Sequence, residues 1–519
     1  MGYVRDKSGS ERGGHVKKLL LTEGLLACFF LVLLLGFFGK YIMKEQKDTG
    51  GNISISGISQ NSDGILAVYP GRMQETFSPL GYGQQGEENV LAMCFEKLLL
   101  RDRNGAKRNQ EVSGNWDGRD GELTQISVQY DAGTGLSTMT LAINPKTKTV
   151  KGKKMNADDL IFNFYLRCDV SSGEGVPFGG VLILGQEEYM YGTEKVAERK
   201  KEVQKMLEKP SDTLKEQLQD RIIKKELLQE FEWVKGLYQD EAYEFISNKY
   251  EEAKDLFAYY YAYQTKYSSE GKSEEEVFED ILGQYGWDYK KLSKVTGKDY
   301  AGEAQRIALN ILLQDKEKDT VTRISGIERK DDNTVVIRYF GKEEDACKLC
   351  DIWLLPLDEY GDKAGFDGIA GFGFIKGSAD EIYQKSCQKY SGTGAFYMQG
   401  TGGGEFTLLR NPNYLGKKAS LKKIRVLRKE FIENRDIVGA LLREEADIIM
   451  AKKSKELENL LANRGTGASY SIRKVDIDTS QSENCFLYRT SYVNTPSLPK
   501  EITEYQTLFQ QINLVKVNN

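Results

Sequence analysis

Between Leu19 and Met43 the chain carries only two charged residues, Glu23 and Lys40. The uncharged core of this run, Gly24–Gly39, together with its flanks reaches the ~20 residues that a helix needs to cross a bilayer. Residues 1–18 are basic, with Arg5, Lys7, Arg12, Lys17 and Lys18 set against Asp6 and Glu11. By the positive-inside bias they belong in the cytoplasm, which places residues 44–519 outside it. An uncleaved transmembrane signal-anchor over 19–43 is the expectation. Two other readings stay open. Phe37-Phe38-Gly39 is a poor small-x-small cleavage site for a removed signal peptide. Leu25-Leu26-Ala27-Cys28 has the shape of a lipoprotein site, although most of the apolar run follows the cysteine.

The one histidine of the chain, His15, precedes this run. The outward part therefore has no imidazole for a catalytic triad, a general base or a zinc site. Glycine-rich stretches at Gly371–Phe374, Ser391–Gly394 and Thr401–Gly404 lack the Lys-Ser/Thr of a phosphate loop and read as tight turns. Carboxylates are plentiful, but no spacing marks a glycosidase pair. Charge is nearly balanced, 72 basic against 77 acidic residues, which argues against nucleic acid as a partner. The expectation is a protein with no catalytic residues, no metal and no cofactor. Cys94, Cys168, Cys347, Cys350, Cys387 and Cys485 lie beyond the apolar run, where disulfides are permitted. Cys347-x-x-Cys350 fits free thiols, a local bridge or half a zinc site.

After a polar Gly/Ser-rich tether (44–64) the pattern is mixed α/β. Ile65–Val68 reads as a strand and Glu88–Leu100 as a buried helix. Leu123–Tyr130 and Thr138–Asn144 form a hairpin around Asp131–Gly135. Asn156 caps a helix with Asp158 and Asp159 in its first turn. Residues 184–316 form a helical block of five or six helices. Pro210 is its break, Ser211 a cap, Leu227-Phe231-Val234-Tyr238 a stripe, and Ser273-x-x-Glu276 a capping box. Phe257–Tyr263 reads as a helix that buries aromatic bodies, or else as a surface for stacking a peptide or sugar. Strands return at Val321–Ile327, Thr334–Tyr339, Phe406–Arg410, Lys423–Arg428, Ala446–Ile449 and Phe486–Tyr488, with a helix at Ile437–Leu442.

Several short motifs occur in a telling order. Phe77-Ser-Pro-Leu80 is followed by Phe95-Glu96 and Arg101-Asp-Arg-Asn-Gly105. Next come Met139-Thr-Leu141, Lys151-Gly-Lys-Lys-Met-Asn-Ala-Asp-Asp159 and Thr334-Val-Val-Ile337. Gly392-Thr-Gly-Ala-Phe-Tyr397, Leu409-Arg-Asn-Pro-Asn-Tyr414 and Ala446-Asp447-Ile448 close the series. This order resembles the extracellular solute-binding proteins of family 5, the oligopeptide- and dipeptide-binding components of ABC importers. The resemblance covers roughly 65–185 and 320–495. It implies an α/β, two-lobe, type II periplasmic-binding-protein-like fold that closes on an extended ligand. The helical subdomain is then an insertion, and one transmembrane helix precedes the fold.

The segments that follow are a cytoplasmic stretch (1–18), a signal-anchor (19–43), a tether (44–64), a first part of the lobe (65–183), a helical insertion (184–316) and the remainder (317–519). Ala395 stands where the family pattern has proline, and the second lobe is expected to be incomplete. The implied partners are an oligopeptide, ABC permease subunits and the membrane through the chain's own helix. Ser78, Tyr82 and Tyr488 are the expected ligand contacts. The alternative is an anchored interaction or scaffold protein on a degenerate binding fold, with the helical block docking a partner.

Overall fold

The computed structural model describes residues 65–71, 73, 77–81, 85–98, 123–172, 177–238, 252–264, 266–315, 317–366, 371–402, 405–416, 422–428, 434–443, 445–462, 471–478, 484–490 and 516–517. All belong to one compact unit, Ser62–Asn519. The basic segment, the apolar run 19–43 and the tether lie outside the described residues. Among the described residues no helix is long and apolar enough to cross a membrane.

The strands are β1 (Ile65–Tyr69), β2 (Thr124–Asp131), β3 (Leu136–Ile143), β4 (Leu182–Ile183), β5 (Ile327–Arg329), β6 (Thr334–Phe340), β7 (Phe396–Gly402), β8 (Glu405–Arg410), β9 (Lys423–Leu427), β10 (Ile448–Lys452), β11 (Ser471–Asp478), β12 (Asn484–Thr490) and β13 (Lys516–Val517). They form two sheets, so the α/β class stands. The larger has eight strands in the order β13-β11-β12-β10-β1-β9-β8-β7. β1 runs parallel to both β9 and β10, with Ile65 opposite Lys423 and Val68 opposite Ile448. The smaller sheet is antiparallel, β2-β3-β6-β4, with β5 also on β6. The expected hairpin is its first pair, and Gly135 takes a positive φ of 71° in the turn, which suits a residue without Cβ.

Each sheet buries its own core. Val68, Ile424, Val426 and Ile448 of the large sheet pack with Phe77, Phe95 and Phe406. Its other face, with Tyr69, Ile449 and Leu487, is covered by Ile437 and Leu441 of the helix Asn434–Leu442 and by Leu457 of the helix Lys455–Ala462. The small sheet packs Met139, Leu141, Val335 and Ile337 against Leu160, Ile161 and Phe164. The helix bearing these last residues, Ala157–Cys168, starts as expected. Asn156 accepts from the Asp158 amide, and Asp159 accepts from the Asn156 amide, closing a capping box.

The helical block has a third core, which includes Leu214, Leu218, Leu227, Phe231, Val234, Phe257, Ile281 and Ile307. Ser211 caps Asp212–Leu218, and the box of Ser273 and Glu276 starts Glu274–Tyr285. Eight α-helices are described between 184 and 316, more than five or six. Short helices such as Gln186–Tyr191 and Tyr289–Thr296, each closed by a left-handed glycine (Gly192, Gly297), raise the number. In the helix Ala253–Tyr261, Phe257 is buried and stacks near Phe231 and Phe278, whereas Tyr259 and Tyr260 are 63 % and 52 % exposed. The aromatic run is thus part core and part surface.

Three other expectations need correction. The helix predicted over Glu88–Leu100 is Gln85–Cys94. It stops because Glu96–Leu98 pairs with a distant segment, described below. Val321–Ile327 is not a strand, and only Ile327–Arg329 pairs with β6. The preceding backbone is bonded elsewhere: Val321 N–H to Gly192 O, Ile324 N–H to the Tyr165 hydroxyl, and Gly326 N–H to Leu184 O. The strand predicted at Ala446–Ile449 is Ile448–Lys452, because Asp447 turns back to accept from the Ala67 amide at 2.8 Å.

Candidate functional site

Two segments cross between the sheets. One follows the helix Gln85–Cys94; the other follows the short helix Ala346–Cys350. They pair antiparallel, with Leu98 N–H to Ile352 O at 3.2 Å and Leu354 N–H to Glu96 O at 2.9 Å. Successive side chains of an extended segment point to opposite sides. Accordingly Phe95, Trp353, Leu355 and Leu357 join the core of the large sheet, and Leu98, Ile352 and Leu354 join that of the small one. The crossing segments are thereby shared walls of two cores.

The helix Ala157–Cys168 fastens the second segment. Asp159 accepts from Leu357 N–H at 2.9 Å. Asn163 accepts from Leu355 N–H at 3.0 Å and donates to Leu355 O at 2.8 Å. Arg167 donates to Trp353 O at 3.1 Å. Four helical residues rise ~6 Å, and two extended residues rise ~6.6 Å, so the two periods match. All three polar side chains are buried. Burial pushes the Asp159 carboxyl up to about 6 against the pull of its two amide donors. The sequence carries a signal for this, polar residues at every fourth position of an otherwise apolar helix. Pattern alone reads it as a cap followed by a core run.

The glycine motif completes the junction. Gly394 N–H donates to Cys94 O at 3.0 Å, and Asn411 donates to Gly394 O at 2.8 Å. A Cβ on Gly394 would sit 2.5 Å from the Cys94 carbonyl carbon, and one on Gly392 would sit 2.5 Å from the Cys94 oxygen. Only residues without side chains allow this approach. Thr393 between them is buried beside Glu96. Burial pushes the Glu96 carboxyl up to about 8, with the Thr393 hydroxyl pulling the other way. One Glu96 carboxyl oxygen has no hydrogen-bond partner.

A cavity of about 320 Å³ opens at this seam. Leu80, Phe178 and Trp353 give it apolar walls, while Arg167, Lys348 and Asp351 bring charge. Lys97 lies over the Trp353 ring at 4.7 Å and pairs with Asp351 at 2.8 Å. Phe178 holds a left-handed backbone (φ 56°), uncommon for a bulky residue.

Ser78 is fully buried. Its hydroxyl accepts from Leu80 N–H and lies 2.6 Å from the Ser386 hydroxyl. It thus shapes the turn whose Pro79, Leu80 and Gly81 wall the cavity. Tyr82 lies outside the described residues. Tyr488 pairs opposite Ile448 within β12, and its side chain is outside the described part. Sequence reasoning missed Arg167, Asp351 and Trp353. Cys347 and Cys350 are not bridged to each other, and the Cys350 sulfur lies 3.6 Å from that of Met139. Among the described residues no cluster of three His, Cys, Asp or Glu is placed to hold a metal.

No family model matches the sequence, and no curated protein matches it. Solved structures similar to the chain include lactococcal OppA complexed with an endogenous peptide in the closed conformation. It is 12 % identical, with 80 % of this chain and 50 % of that one covered and a TM-score of 0.42. A periplasmic oligopeptide-binding protein of Borrelia burgdorferi, OppAIV, gives 12 % identity, 80 % and 51 % coverage and a TM-score of 0.39. The oligopeptide-binding protein AppA of Bacillus subtilis, in complex with a nonapeptide, gives 11 %, 80 %, 48 % and 0.38. The chain spans about half the length of these structures.

Proposed function

We propose that the chain is a solute-binding protein that captures a peptide-like ligand outside the cytoplasm for an ABC importer, held to the membrane by residues 19–43. In this reading 65–183 and 317–519 make up the binding body and 184–316 is an inserted helical subdomain. The observation that carries the proposal is the charged and aromatic cavity at the seam. Its size is at the lower end for small-ligand sites, which run from ~300 Å³ upward. Trp353 and Phe178 suit an apolar side chain, while a ligand ammonium would share Asp351 with Lys97 and a ligand carboxylate would share Lys348 with Asp345. That is the charge pattern of a short peptide. The turn built by Ser78 is one wall, and Tyr82 and Tyr488 remain proposed contacts. The order of sequence motifs supports the same reading, since Gly392 and Gly394 lie against Cys94 and Phe95 at the junction and Asn411 bonds Gly394.

The test is native mass spectrometry of the full chain in detergent, with thermal shift across a library of short peptides. A co-purified peptide mass, or a Tm rise with some peptides that Asp351→Asn removes, is expected. A clean mass with a flat Tm throughout would sink the binding reading.

A second reading draws on the exposed Tyr259 and Tyr260 of the helical block. There the chain is an anchored scaffold, and those rings dock a partner protein. It predicts a peptide-free mass and loss of the partner on Tyr259→Ser/Tyr260→Ser with the fold unchanged.

A further inference from the structure

The turn after β3 is unusually basic. Lys146, Lys148, Lys151, Lys153 and Lys154 are all exposed, while Thr147, Thr149 and Met155 between them are buried. The buried residues and backbone make the turn rigid. Met155 N–H donates to Thr147 O at 3.1 Å, Thr149 N–H to Lys153 O at 2.8 Å, and Gly152, at φ 82°, to Thr149 O. Lys151 pairs with Glu359 and Lys153 with Asp358. Lys148 and Lys154 have no carboxylate partner among the described residues and face each other across an antiparallel bridge. Like charges placed opposite one another are destabilising. An anion seated against the pair would relieve that repulsion.

The position of the turn says where that anion lies. Asn413 donates to Val150 O at 2.8 Å, tying the turn to the β8–β9 connection. At that end β8 finishes at Arg410, whose N–H bonds Lys422 O, and β9 begins with Lys423 opposite Ile65. Ile65 is the start of β1, where the chain arrives from the tether. The lysine turn and the exposed Lys422 therefore share the end of the large sheet at which β1 starts. Between the apolar run and β1 the sequence leaves only the 21 residues 44–64.

We infer that this lysine turn, with Lys422, seats the molecule on the anionic phospholipid headgroups of its own membrane. The inference rests on the anchored reading above. Each lysine near an anionic leaflet gains roughly a fivefold preference, and the attraction fades beyond a Debye length of ~8 Å.

The test is lysine acylation footprinting of the full chain in nanodiscs of phosphatidylcholine, with or without phosphatidylglycerol. Labelling of Lys148 and Lys154 is expected to fall about fivefold with phosphatidylglycerol and to recover at raised salt. Exposed Lys290 of the helical block should not change. The Lys148→Glu/Lys154→Glu variant, altered only at the surface, should abolish lipid-dependent protection of Lys146 and Lys151. A chain recovered in both disc types with identical labelling overturns this inference and leaves anchoring intact. Protection by soluble polyphosphate but not by phosphatidylglycerol discs also overturns it, in favour of a soluble polyanion. A chain recovered in neither disc type overturns both readings. Recovery only with phosphatidylglycerol supports the lysine face and overturns the anchor.

Discussion

The helical block and the seam between the sheets are both fully buried at their centres, yet they are held together differently. The block is apolar side chain against apolar side chain, drawn from helices close in sequence. The seam is polar side chain against distant backbone, with Asn163 and Leu355 separated by 192 positions. Truncating a side chain in the block leaves a hole. Truncating one in the seam strands amide and carbonyl groups without partners.

Phe257→Ala should show the largest effect, about 4 kcal/mol lost in urea unfolding, from the cavity left among Phe231 and Phe278. Hydrogen exchange should rise within 184–316 and leave Leu355 protected. Exchange that rises equally at the seam would erase the distinction between the regions. Asn163→Ala comes next at about 3 kcal/mol, because Leu355 N–H and C=O lose their partner in a buried site. Here faster exchange should centre on 353–357. A loss under ~1 kcal/mol would mean that water replaces the amide.

Glu96→Gln should act in the opposite direction. The folded carboxyl of Glu96 is raised, so the fold retains a proton that the unfolded chain gives up. The resulting cost is absent below the ordinary carboxylate range, grows as pH rises through it, and is complete above about 8. The glutamine variant should therefore match the parent at pH 4 and exceed it by about 2 kcal/mol at pH 8, since each tenfold gain in proton affinity costs ~1.4 kcal/mol before the surroundings relax. Equal Tm values at both pH values would remove the buried acid from the account. Ser273→Ala is the smallest, about 1 kcal/mol from the lost cap on Glu274–Tyr285, and should leave the seam untouched.

The same contrast explains what is legible in the chain before it folds. Caps at Asn156, Ser211 and Ser273, the hairpin at Asp131–Gly135 and the stripe from Leu227 are local signals, and local hydrogen bonds decide them. Glu96–Leu98 continues an apolar helical pattern and is hidden by it, because its strand partner is more than 250 positions away at Ile352–Leu354. Val321–Ile327 has strand composition, but its donors go to Gly192, Tyr165 and Leu184, which no window around residue 324 contains. In the candidate site, Ser78 is visible from its motif but shapes the wall. Asp351 and Trp353 are not visible, because a cation over an indole depends on the pairing of two crossing segments.

The central place of β1 has a consequence for how the molecule is made. Ala67 is bonded to Asp447, 380 positions later. At ~5–20 residues per second the ribosome needs about 20–75 s to supply that partner. During this interval the small sheet and the helical block can complete themselves, while an apolar strand with both edges unpaired waits beside them. Among the described parts the large sheet is thus the last to close, and β1 is the strand longest at risk of pairing with a neighbouring nascent chain.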